Sequence, residues 1–113
     1  MINYVVRPET RTVIGVMKGT KYDAILKIYK MLDSSELCLF EPEKYYMPNC
    51  YRAEVVCDPR DEFNVEEGKR IVKERIMRRY YDSVDKRVDR FKRNFKMLCE
   101  KISKTSTKPI DKK

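Results

Sequence analysis

Residues 64–102 read NVEEGKRIVKERIMRRYYDSVDKRVDRFKRNFKMLCEKI, and this stretch decides the fold. Val65, Gly68, Val72, Ile76, Tyr80, Val84, Val88, Phe91, Phe95, Leu98 and Ile102 recur at steps of three or four, the period of one helical face. Asn64 is placed to accept from the third amide of such a helix, and Glu67 to reach back to the cap. A helix over 65–102 at 1.5 Å per residue is roughly 57 Å long, more than the width of a globule of this size. Either it breaks near Asp82-Ser83 into a helical hairpin, or it projects. In both cases its far half is expected to lack a body that would bury Phe91 and Phe95. A second copy of the chain would supply one, so a homo-oligomer, dimer or higher, is expected. The segment 103–113 is mostly Lys, Thr, Ser and Pro, and reads as a disordered basic tail.

The residues before this helix read as strands and one short helix. Asn3 to Val6 and Thr12 to Met17 are rich in β-branched residues and flank Pro8, which predicts a hairpin whose second strand ends at Gly19. Tyr22, Ile25, Leu26, Tyr29 and Leu32 lie on one helical face; Thr20 is placed to cap that helix, and Asp33-Ser34-Ser35 to end it. Residues 36–49, with Pro42 and Pro48, read as an ordered loop. In it Tyr45 and Tyr46, beside Lys44, either cover a core edge or stack on a base. Tyr51 to Cys57 predicts a third strand, closed by Asp58-Pro59-Arg60-Asp61. The sum is an α+β chain with a single domain over 1–102. It has a small three-stranded antiparallel sheet, a short helix and a long basic C-terminal helix.

Composition narrows the chemistry. Histidine is absent from the 113 residues, which excludes a Ser-His-Asp or Cys-His machine, a histidine-ligated metal and a histidine general base. There is no phosphate loop and no G-x-G-x-x-G. The carboxylate pairs Asp58/Asp61 and Glu66/Glu67 have no nucleophile beside them. Cys38, Cys50, Cys57 and Cys99 contain no C-x-x-C, so scattered thiols are expected in place of a zinc site or a disulfide framework. No apolar run is long enough to span a membrane, and Met1-Ile2-Asn3-Tyr4 does not open a signal peptide. These features point to a binding protein without catalytic activity and without a cofactor.

The charge says what kind of partner to expect. The chain carries a net +8, distributed unevenly. Residues 1–68 hold nine basic against twelve acidic side chains, and 69–113 hold seventeen against six, a net +11. A basic arm of this kind attracts phosphate-bearing small molecules, nucleic acid or an anionic protein face. Glu74/Arg78, Asp82/Lys86 and Asp89/Arg93 are i,i+4 pairs in the favourable order. Arg75, Arg79, Arg87, Arg90, Lys92 and Lys96 are left without an obvious acidic partner. Arginine suits phosphate through its planar, bidentate fork. Tyr80, Tyr81 and Phe91 interleave aromatic faces with these cations, the composition of a single-strand or nucleotide platform and equally of an amphipathic helix with an aromatic core face. Arg60, Phe63 and Asn64 sit at the helix start, where free amides favour anions but Asp61 and Glu62 already occupy that field.

The run from Arg52 to Arg75 resembles a group of small proteins of Gram-positive phages and prophages. Their pattern is A-x-x-x-C-x-P-x-D-x-F-D-x-x-x-G-x-x-I-A-x-x-R. Ala53, Cys57, Pro59, Asp61, Phe63, Gly68, Ile71 and Arg75 match it, and Asn64 stands where aspartate is usual. The insert of residues 20–49 and the long basic helix lie outside the pattern. The resemblance implies an accessory protein acting in the host cytoplasm. In outline the chain is also similar to the Thoeris anti-defence sponges, oligomers that sequester cyclic nucleotide immune signals without catalysis. That similarity implies nucleotide capture, with Arg60, Phe63, Asn64, Arg75, Arg78, Arg79, Arg87 and Arg90 as the ligand-binding candidates. The rival expectation is a nucleic-acid-binding protein or a protein-level inhibitor of a host defence complex, in the manner of an anti-CRISPR protein.

Overall fold

Two β-branched runs separated by a proline turn form the hairpin on which the rest is built. In the computed structural model, which describes residues 1–33 and 40–111 and side chains as far as Lys101, β1 (Ile2–Arg7) and β2 (Thr12–Lys18) pair antiparallel with Val5 opposite Ile14. Pro8–Thr10 makes one turn of 3-10 helix between them. Arg11 closes that turn at φ 54°, the left-handed region. Gly19 ends β2 at φ 77°. β3 (Cys50–Val56) adds to the other side of β2, with Ala53 opposite Gly15, so the sheet order is β1-β2-β3. This is the expected three-stranded antiparallel sheet, with a short helix and a long C-terminal helix, an α+β fold.

The long helix α2 (Val65–Asp111) crosses one face of the sheet without a break at Asp82-Ser83. It runs past the expected boundary at 102 and takes in residues 103–111 of the segment expected to be disordered. No glycine lies between 103 and 111, and Pro109 falls within the last turn. Two glycines set how closely helix and sheet approach. A Cβ on Gly15 would stand 2.4 Å from Val72 Cγ1, and one on Gly68 would stand 2.7 Å from Val13 Cγ2. The backbones meet where a side chain is missing on one side and a valine fills the gap from the other. Val13, Val72 and Ile76 are fully buried at this contact.

The short helix α1 (Asp23–Tyr29) packs on α2 beyond the sheet. Its buried face is Ala24, Ile25 and Ile28, while Tyr22, Leu26 and Tyr29 are exposed. This corrects the face expected from Tyr22, Ile25, Leu26, Tyr29 and Leu32. Both sides of the helix are apolar, and the side bearing the small Ala24 allows α2 the closer approach. Thr20 does not cap α1; its hydroxyl donates to the carbonyl of Pro48. Residues 34–39, part of the expected 36–49 loop and including Cys38, lie outside the described residues. Pro42–Tyr45 then forms a 3-10 turn.

That turn overturns one expectation. Phe91 is 5% exposed, and its own chain covers it. Phe40 and Tyr45 meet its edge at ring centroid distances of 5.6 and 5.8 Å, and Phe95 stacks on it at 5.4 Å. The insert between α1 and β3 is the body that the far half of α2 was expected to lack. The periodicity of α2 gives no view of the segment that covers it.

Candidate functional site

The start of α2 is built by capping and by one arginine. The Asn64 side-chain oxygen accepts from the Glu67 amide at 3.1 Å, the expected N-cap. Glu67 does not return to the cap. It accepts from Arg70 at 2.6 Å, and the guanidinium holds its carboxyl below the usual carboxylate range. Asp58 is likewise held low, because the Arg60 guanidinium donates to it at 3.0 and 3.2 Å and the Arg60 amide at 2.9 Å. Arg60 and Asn64 are therefore engaged within the turn itself. Phe63 is half-buried, and the Arg11 guanidinium lies over its ring, 5.6 Å from the centroid. Arg11 also donates to the carbonyls of Asp58 and Asp61 and approaches Cys57 Sγ at 3.5 Å. It ties the hairpin turn to the β3–α2 turn, while its left-handed backbone belongs to the closing of the 3-10 turn, where its amide donates to the carbonyl of Pro8 at 3.1 Å. Sequence reading missed Arg11, since nothing in a hairpin turn marks which residue will reach a loop 47 positions away.

A second cluster lies one side of the helix further on. Arg75, Arg78 and Arg79, with Ile71 and Glu74, line an open groove of about 360 Å³ beside β3. Arg75 donates to the carbonyl of Glu54 at 3.0 Å and Arg79 to that of Arg52 at 2.9 Å. Alternate carbonyls of a strand point the same way, so the two arginines satisfy one edge of β3. Each guanidinium keeps further N–H donors free. Arg78 pairs with Glu74 at 3.2 Å, as expected.

Arg87 and Arg90 belong to neither cluster. Arg87 donates to the carbonyl of Tyr46 at 2.8 Å and to Ser83, fastening α2 to the segment after the 3-10 turn. Arg90 is exposed and makes no hydrogen bond or ion pair among the described residues. Lys86 pairs with Asp82 at 3.1 Å, whereas the expected Asp89/Arg93 pair is not among the ion pairs of the described residues. Exposed Lys92, Arg93 and Lys96 are equally without a partner there. The eight candidate residues thus fall at three places along α2. Asn64 and Arg90 are 26 residues apart, roughly 39 Å along a helix axis, so no single small molecule touches them all.

The aromatic positions resolve into core and surface. Tyr45 is buried and Tyr46 is 41% exposed. Lys21 lies over the Tyr46 ring at 4.6 Å and Tyr22 meets it edge-on, so that ring is covered on one side. Tyr80 is half-buried and donates to Asp23 at 2.6 Å; burial and that carboxylate push its pKa up to about 12. Tyr81 is 57% exposed in a groove with Leu26, Lys27 and Lys30. Among the described residues no group of carboxylates and thiols is placed to hold a metal ion, and no helix is long and apolar enough to cross a membrane. No family model matches the chain, and no curated protein or solved structure matches it.

Proposed function

We propose that this chain is a non-catalytic binding protein for phosphate-bearing partners, with α2 as its binding surface. The observation that carries the reading is the set of exposed cations without an ion pair among the described residues, Arg90, Lys92, Arg93 and Lys96, on the same helix as the arginine groove. Unpaired surface guanidinium and ammonium groups attract polyanions from a distance, and the attraction falls with added salt. A linear array of such groups favours a nucleic acid over a compact ligand. The second reading, capture of a nucleotide immune signal, rests on Arg75, Arg78 and Arg79 converging on one groove. Either activity suits an accessory protein of a phage that counteracts a host defence, the setting suggested by the run from Ala53 to Arg75.

A thermal-shift panel at low salt tests the proposal. It covers mononucleotides, cyclic dinucleotides and single- and double-stranded oligonucleotides. A rise in Tm with any of these classes supports phosphate binding, and a cyclic dinucleotide acting alone favours signal capture. If no class raises Tm, the reading is wrong.

A further inference from the structure

We infer that α2 takes the phosphate backbone of a nucleic-acid duplex along one stripe formed by Arg79, Lys86, Arg90 and Arg93. This rests on the phosphate-binding reading above and names the ligand class. An α-helix turns about 100° per residue. Steps of seven, four and three residues keep these four side chains within about 60° of one another. The positions that pack on α1 and the 3-10 turn, Val84, Val88, Phe91 and Phe95, lie on the opposite side of the helix. The last ring contact with the sheet is Tyr80 against Tyr51. Beyond it nothing in the described chain stands in front of the stripe, and Lys86, Arg90 and Arg93 are exposed.

From Arg79 to Arg93 the stripe spans fourteen residues, roughly 21 Å of straight helix. A rigid row of cations suits a rigid row of phosphates. A duplex presents one phosphate per ~3.4 Å on each strand and a major groove about 12 Å wide that admits a helix. A single strand would need aromatic faces beside the cations for its bases to stack on. Phe91 is in the core, Tyr80 is held by Asp23, and exposed Tyr81 lies about 160° around the helix from Arg79. The stripe offers charge without stacking. Asp82 sits at its edge and pairs with Lys86, Asp89 flanks it, and the Arg79 guanidinium already donates to the carbonyl of Arg52, so Arg90 and Arg93 carry most of the attraction.

The test is fluorescence anisotropy of the full chain with a labelled duplex of about 20 base pairs, long enough to cover the stripe at ~3.4 Å per pair. The same strand unpaired and a labelled mononucleotide are measured alongside. Three to four phosphate contacts predict that duplex affinity falls roughly 40- to 150-fold between about 50 and 200 mM salt. R90A/R93A should weaken duplex binding at least ~10-fold at the lower salt and reduce the salt slope by about two. K27A/K30A, in the groove on the other side, should leave both unchanged, with equal helicity by circular dichroism in all variants. Tighter binding to the single strand or mononucleotide, or an unchanged R90A/R93A, would overturn the duplex stripe and leave phosphate binding standing. Absence of binding to all three probes would overturn both.

Discussion

At the scale of single residues, the fold depends on side chains that are absent as much as on those present. Gly15 is the clearest case, because Val72 occupies the space its Cβ would need. Gly15→Ala is expected to destabilise the protein by about 1–3 kcal/mol, the usual cost of overpacking. Val72→Ala in the same chain should recover part of that loss, which urea unfolding followed by circular dichroism will show. Tyr80 is the corresponding polar case. Its hydroxyl donates to a carboxylate, and its pKa stands near 12 against the ordinary 10. The folded chain holds this proton more tightly than the unfolded chain does. Its contribution is therefore complete below pH 10 and is lost as pH rises from about 10 to 12. Tyr80→Phe should cost about 1–2 kcal/mol at neutral pH and remove this part of the alkaline loss, checked by urea midpoints across that range.

At the scale of elements, α2 both starts and shields. Asn64→Ala removes the side-chain acceptor for the Glu67 amide and should cost about 0.5–2 kcal/mol, read as a lower Tm. Arg75 and Arg79 close one edge of β3 by donating to its carbonyls. R75A/R79A would expose that edge to pairing with other chains. Faster aggregation at a temperature where the parent stays clear, measured by light scattering, is the expected outcome. Both arginines were marked in the sequence as cations without an acidic partner. Their use of backbone acceptors was hidden, because a carbonyl leaves no mark in residue type.

At the scale of the whole molecule, the long helix carries the chain to an extent of 80 Å along one axis and about 20 Å across the others. With Phe40 and Tyr45 covering it, Phe91 needs no second copy of the chain to bury it. What is left is the apolar surface further along α2, where Phe95 and Leu98 are half-buried. If α2 pairs with a second copy there, Leu98→Lys should shift the mass seen by light scattering toward the monomer. A parent protein that is monomeric at high concentration would remove the oligomer altogether.

The sequence by itself determined the elements: a β-branched hairpin around Pro8, a third strand before Pro59, and a helix whose apolar stripe runs from Gly68 to Leu98. These follow from local rules, since turn chemistry, capping by Asn64 and a 3.6-residue period act between near neighbours. The net +11 over 69–113 was equally legible, because charge is a sum over residues. Only the tertiary structure decided which cations are free. Arg60 and Arg78 are taken by carboxylates in their own segment, Arg75, Arg79 and Arg87 by carbonyls distant in sequence, and Arg90 by nothing among the described residues. It also decided that Phe91 belongs to the core, since its partners come from a loop some 46 residues before it. Periodicity says that a face is buried. What buries it is settled by chain segments that meet only on folding.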